Sequence, residues 1–194
     1  LEAIVDSIVN DHDYTDCTRK SLRIGVDVLP AIPKDTTDRN RTSPLAFTGN
    51  KFEFRSLGSS QSIAGPNTIL NTVMAEALRQ FAEELEAAED FPSALHDLIK
   101  RAFAAHQRIL FSGNGYDESW VREAEQRGFV NPRSAAEATP AYILPKNIRL
   151  MTAHGVYSEA EMMARHEIHM EKYCKVIGIE AGTLVDMVQH HILG

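Results

Sequence analysis

Between Lys51 and Arg55 the chain reads charged, aromatic, charged, aromatic, charged, and a period of two fits a strand rather than a helix. Successive strand side chains point to opposite faces, so Phe52 and Phe54 are expected in a core while Lys51, Glu53 and Arg55 share the other face. One carboxylate then stands between two cations. Gly49-Asn50 offers a tight turn that brings the preceding stretch, with Arg41, alongside. A second strand is predicted over Leu22–Leu29, ended by Pro30 and Pro33.

Elsewhere the apolar positions recur at helical spacing. Residues 1 to about 10 read as a helix, and Asn10 to Lys20 as a loop. After the small-residue loop Ser56 to Gly65, Pro66-Asn67 opens a helix whose stripe Leu70, Val73, Met74, Ala77, Leu78, Phe81 and Leu85 is expected to pack behind the strands. Another helix starts near Pro92 with Leu95, Leu98, Ile99 and Phe103, and His106 near its end reads as a surface or dipole-compensating histidine rather than a ligand. Gly113-Asn114-Gly115 marks a turn, Asp117 to Val121 opens a short helix, and Gly128 stops it. Pro132 to Thr139 reads as a linker. One helix is predicted over Pro140–His154, and Ser158 with Glu161 makes a capping box for a long helix toward Leu193, with Gly178 and Gly182 as points of kinking or breakage.

The 194 residues are 43% hydrophobic and 24% charged, ordinary globular material with enough chain for one sizeable core or a small core plus an appendage. No apolar run reaches the roughly eighteen residues that would suggest a membrane span, and no secretory signal is visible. A formal net charge of −7 argues against a general nucleic-acid surface. Against that background Arg39, Arg41, Lys51 and Arg55 form a local basic group. Cys17 and Cys174 make no CxxC, and two reduced thiols in a cytoplasmic protein are the expectation.

The bland account of the Lys-x-Glu-x-Arg strand is a solvated sheet face whose exposed ion pairs stabilise weakly. The functional account is a surface for a substrate that carries carboxylate, phosphate and a metal ion together. Asp35 and Asp38 read as capping or turn residues. His166, Glu167 and His169 do not match the His-Glu-x-x-His zinc spacing, and the neighbouring Met163, Ile168, Met170 and Val176 explain that helix as packing.

The run Asp35 to Pro44, then Phe47 to Arg55, Gly58 to Ile63, Pro66-Asn67, Phe111 to Tyr116 and the helical tail around His166 to His169 resembles the glutamine synthetase family, in its large type III form. The likeness covers essentially the whole chain. It implies ATP-dependent ligation of ammonia to glutamate through a γ-glutamyl phosphate, with Mg²⁺ or Mn²⁺. It also implies roles: Arg41 near the transferred phosphoryl group, Lys51 as a nucleotide-side cation, Glu53 as a metal ligand and Arg55 on the substrate carboxylate. Most of the family has a second arginine five residues after the first, where this chain has Ala46, and Thr42 stands for the common serine.

The fold class implied is α+β: antiparallel active-site strands at the end of a synthetase-like barrel, backed by helices and followed by a helical extension. Residues 1–131 are expected to be the C-terminal part of the catalytic domain and 132–194 a helical C-terminal region. The chain opens at Leu1 without an initiator methionine, and the remaining metal and ATP ligands are expected in preceding sequence, so the isolated chain should not turn over. The resemblance further implies a homo-oligomer of hexameric rings, often a dodecamer. The alternative is a helical oligomerisation or protein-interaction module whose charged strand is merely solvated.

Overall fold

The computed structural model describes residues 2–14, 21–22, 32–33, 45–47, 51–58, 60–111 and 113–193. In chain order the elements are α1 (Glu2–Val9), β1 (Ser21–Leu22), β2 (Ile32–Pro33), β3 (Leu45–Phe47), β4 (Phe52–Phe54), α2 (Ala64–Glu86), α3 (Phe91–His106), α4 (Glu118–Gln126), α5 (Ala135–Ala138), α6 (Pro145–Ala153) and α7 (Glu159–Met187). Short 3-10 turns at Gln107–Ile109 and Thr139–Ile143 and a π-helical turn at Val188–Ile192 complete them. By its contacts the chain divides into two compact units, Leu1–Ser62 with Glu84–Phe129, and Ile63–Glu83 with Val130–Gly194.

In the first unit α1 lies against α3, and Val5 and Leu98 are its buried apolar side chains among the described residues. The helix α1 ends where the His12 N–H donates to the Ser7 carbonyl at 3.1 Å, with Asp11 in the left-handed region at φ 50°. Aspartate is one of the few residues that visits this region readily. Its carboxylate accepts a hydrogen bond from Lys100 and lies 3.7 Å from His96, both on α3. That bond, chiefly, holds the Asp11 carboxyl below its ordinary range. The turn of the chain thus ties α1 to α3.

Further along, the Asp117 side chain accepts the Ser119 N–H at 2.8 Å and caps α4. Gly128, at φ 82°, ends it, with the Phe129 N–H donating back to the Ala124 carbonyl at 2.9 Å. Phe111 stacks on Trp120 with ring centroids 3.7 Å apart. The Arg127 guanidinium sits 5.3 Å from the Trp120 centroid and donates to the Leu110 and Arg108 carbonyls at 2.6 and 3.1 Å. One arginine therefore closes the loop before α4 onto the helix end. The same unit holds two antiparallel pairs, β1 with β2 and β3 with β4, the latter in register Leu45↔Phe54, Ala46↔Glu53 and Phe47↔Phe52.

In the second unit the helical elements from α5 to α7 pack around Met151 and Met162, and Thr139 is buried with them. Ser158 starts α7 with a reciprocal capping box: the Glu161 N–H donates to its hydroxyl oxygen at 3.3 Å and the Ser158 N–H donates to the Glu161 carboxylate at 2.8 Å. Gly155, at φ 62°, turns the chain between α6 and α7. The α2 segment joins this unit through a carboxylate, Glu76, which meets His154 at the end of α6 at 2.8 Å.

Several expectations are corrected. The described residues are mainly helical, and their strands form two short antiparallel pairs. Phe52 and Phe54 are 62% and 44% exposed, because a two-stranded hairpin offers no second layer to cover a face. The apolar stripe of α2 is not a core either: Leu70, Val73, Met74, Leu78 and Phe81 are exposed, and Thr72 is its buried residue. Pro33 is the last residue of β2 and pairs with Ser21. The predicted linker contains α5, capped by Ser134. The helix expected over Pro140–His154 breaks at Leu144, which is extended at ψ 134°, as the residue before Pro145 must avoid the helical region. Conversely, α7 runs through Gly178 and Gly182 without a break. The strand expected beyond Leu22 and the turn at Gly49-Asn50 lie outside the described residues.

Met162 is 2% exposed and Met163 41%. Met162→Ala is therefore expected to lower the unfolding free energy by about 2–5 kcal/mol. Met163→Ala should change it by less than about 0.5 kcal/mol. Urea melts of the two variants against the parent chain check the difference.

Candidate functional site

The three charged residues of the hairpin come together as the alternation requires. Lys51 Nζ lies 3.6 Å from Glu53 Oε1, and Arg55 Nη2 donates to Glu53 Oε2 at 3.0 Å. The two cations differ in setting: the Lys51 side chain is 66% exposed and that of Arg55 21%. The hydrogen bond from Arg55 holds the Glu53 carboxyl below its ordinary range, against the opposing cost of desolvation, with the charges of Arg55 and Lys51 adding to it. A carboxylate kept ionised between two donors can take a hard cation through oxygen, and a guanidinium beside it can take a second carboxylate in bidentate fashion. Arg41 lies outside the described residues.

A second polar cluster went unrecognised in the sequence. The Glu76 carboxylate accepts Arg79 Nη2 at 2.8 Å, Arg79 Nε at 2.9 Å and Gln80 Nε2 at 2.6 Å, besides its contact with His154. Arg79 chiefly, with Gln80 and His154, pushes the Glu76 carboxyl far down, and Glu76 with Glu83 pushes the Arg79 guanidinium up. The i, i+3 and i, i+4 spacing of Glu76, Arg79, Gln80 and Glu83 was there to be read. His154, seventy-eight residues on, carried no local signal. The arrangement is a tie between α2 and α6.

The histidines of the tail have structural partners: His166 Nδ1 lies 3.3 Å from the Thr139 carbonyl oxygen, and the His169 ring lies 5.1 Å from that of Tyr142. No group of three or more His, Cys, Asp and Glu side chains among the described residues is arranged to hold a metal ion. Cys174 is a free, exposed thiol, and Cys17 lies outside the described residues. No helix among the described residues is long and apolar enough to cross a membrane.

Fold and site together define a mainly helical protein that displays a cation-flanked carboxylate on a short hairpin. A family profile described as the glutamine synthetase C-terminal domain matches residues 94–194, and the chain belongs to that family. Over its whole length it is 41% identical to a type-3 glutamine synthetase of Dictyostelium discoideum and 35% identical to a glutamine synthetase of Bacteroides fragilis, covering 27% of each. A glutamine synthetase of Butyrivibrio fibrisolvens is 38% identical over 80% of the chain and 22% of its own length. The chain thus spans about a quarter of the length of these curated relatives. Likeness to synthetases across the hairpin as well as the helices does not favour a pure assembly module.

Because the folded Glu53 carboxyl is depressed by Arg55, the stabilisation it brings is full above the unfolded carboxylate's pKa and fades as pH falls through the folded value. Carbon-detected NMR titration of the chain should show Glu53 protonating below the ordinary glutamate range. In Arg55→Ala its midpoint should rise, and an unchanged midpoint would mean that the pair does not form in solution.

Proposed function

We propose that this chain works as part of a glutamate–ammonia ligase that makes glutamine from glutamate, ammonia and ATP through a γ-glutamyl phosphate. The observation that supports the reading is the Lys51–Glu53–Arg55 constellation, with its carboxylate clamped between two cations, on a chain whose whole length aligns with 27% of a type-3 glutamine synthetase. Arg55 binds the substrate carboxylate with its planar fork of donors. Lys51 faces the nucleotide phosphates, and Arg41 stabilises charge on the transferred phosphoryl group. Glu53 supplies one hard oxygen ligand and fits Mg²⁺ or Mn²⁺ by donor chemistry; the described residues do not contain the rest of a ligand set. When bound, such an ion neutralises phosphate charge and orients the oxygens for transfer.

On this reading residues 1–131 complete a catalytic domain, with β3 and β4 at the end of its antiparallel barrel, and 132–194 form a helical C-terminal region. The family profile, spanning 94–194, extends across that division. The assembled protein is a cytoplasmic homo-oligomer of hexameric rings, and the chain on its own is inactive.

In the ATP- and Mn²⁺-dependent γ-glutamyl hydroxamate assay, the full-length gene product should be active. Arg55→Ala should raise the glutamate concentration for half-maximal rate by more than about tenfold, as loss of a charged, hydrogen-bonded contact requires. A folded full-length protein without activity would overturn the assignment.

A further inference from the structure

The first unit contains a cleft of about 390 Å³ between α1 and the segments that follow α3 and α4. Its walls carry opposite charge. Glu2 and Asp6 stand one turn apart on α1, and the other wall presents Arg108 and Arg127, with Gln107 beside them. Asp6 and Arg127 are already engaged. The Asp6 carboxylate accepts Asn10 Nδ2 at 2.7 Å and lies 3.5 Å from His12 Nε2. Arg127 donates Nη1 to the Arg108 and Leu110 carbonyls and pairs Nη2 with Glu123. Glu2 and Arg108 differ from them. Among the described residues the Glu2 side chain has no hydrogen-bond or ion-pair partner. Arg108 makes one long hydrogen bond, Nη1 to the Arg127 carbonyl at 3.3 Å, and lies 6.0 Å from the Phe129 ring centroid. The two line one cleft without pairing with each other. We infer that this cleft binds a small zwitterion, its ammonium on the α1 carboxylates and its carboxylate on Arg108. No hairpin residue among those described lines the cleft, so such a site does not depend on the ligase reading.

Charge sets the ligand class. A simple anion entering the cleft meets Glu2 and Asp6 as like charges, and a simple cation meets Arg108 and Arg127. A molecule that carries both charges suits both walls. Because Glu2 and Arg108 do not reach each other, its ammonium and carboxylate must be separated by a short carbon chain. The planar fork of Arg108 takes the carboxylate, and the Gln107 amide can bond to either end. Both walls are held before a ligand arrives: the bond from Lys100 to Asp11 ties α1 to α3, and Arg127 pins the Arg108 and Leu110 backbone. Less ordering is then lost on binding. The volume falls within the range of small-molecule sites. Val5, which lines the cleft, is buried and offers little apolar surface, so affinity on the order of millimolar is expected. Glu2 also lies in the first turn of α1, where a carboxylate favours the helix dipole. That role acts on stability and leaves ligand binding untouched.

The test is saturation-transfer difference NMR on the full-length gene product with γ-aminobutyrate, butyrate and butylammonium, which share a chain length and differ in charge. γ-Aminobutyrate should give a saturable signal, and the other two should bind at least about tenfold more weakly, as loss of one charged contact requires. Glu2→Gln, a same-sized change at an exposed position, should weaken γ-aminobutyrate by at least about tenfold. Arg108→Gln should do the same, and Arg108→Lys should keep part of the affinity, which guards against misfolding of the glutamine variant. Arg55→Ala should leave γ-aminobutyrate binding unchanged. Equal binding of butyrate or butylammonium overturns the inference, because one charge then suffices. A signal that survives Glu2→Gln but is lost in Arg55→Ala places the ligand on the hairpin, which overturns the inference and leaves the ligase assignment standing. If Glu2→Gln shifts the unfolding transition and leaves binding intact, Glu2 serves the α1 dipole alone and the inference fails. Absence of any γ-aminobutyrate signal from a protein active in the hydroxamate assay overturns it as well.

Discussion

Everything chemical at the candidate site depends on a property of extended backbone: side chains two residues apart stand on the same face, roughly 6.5–7 Å from one another. That separation is short enough for a lysine and an arginine to reach a glutamate placed between them, as Lys51 and Arg55 do. On a helix the same spacing turns the side chains away from each other. The clamped carboxylate therefore exists only while Phe52–Phe54 remains a strand, and pairing with Leu45–Phe47 is what keeps it one. A two-stranded hairpin is marginal by itself. The site is thus a property of the whole chain more than of the five residues that form it.

This explains which parts of the structure could be read from the sequence. Signals that act within a few residues came through: the Ser158–Glu161 capping box, the Asp117 cap, the Gly128 stop and the charge face of β4 all stand where local chemistry put them. The break at Leu144 was equally local, written in Pro145, and was missed because apolar periodicity continued across it. Burial behaved differently. Periodicity says that a face is apolar but not what covers it, and so Phe52, Phe54 and the stripe of α2 looked like core while Val5, Leu98, Met151 and Met162 supply the buried apolar side chains among the described residues.

The polar ties between distant segments were invisible for the same reason. Asp11 with Lys100, Glu76 with His154, and Arg127 with the Leu110 carbonyl join residues 89, 78 and 17 positions apart. Each joins a charged side chain to a group at or just past the end of a helix or turn: Asp11 after α1, His154 after α6 and the Leu110 carbonyl after the 3-10 turn. Such ties set which helices neighbour one another within a unit.

The register of the hairpin gives Ala46 a meaning that the sequence alone did not. It lies directly across from Glu53, and residues directly opposite on paired strands share a face. Lys51 and Arg55 both bear on Glu53 there. An arginine at position 46, where the family resemblance places one, would bring a third cation to a carboxylate whose two oxygens are already engaged. Where the family resemblance implies an arginine, alanine adds no third positive charge opposite Glu53 in the register of the hairpin.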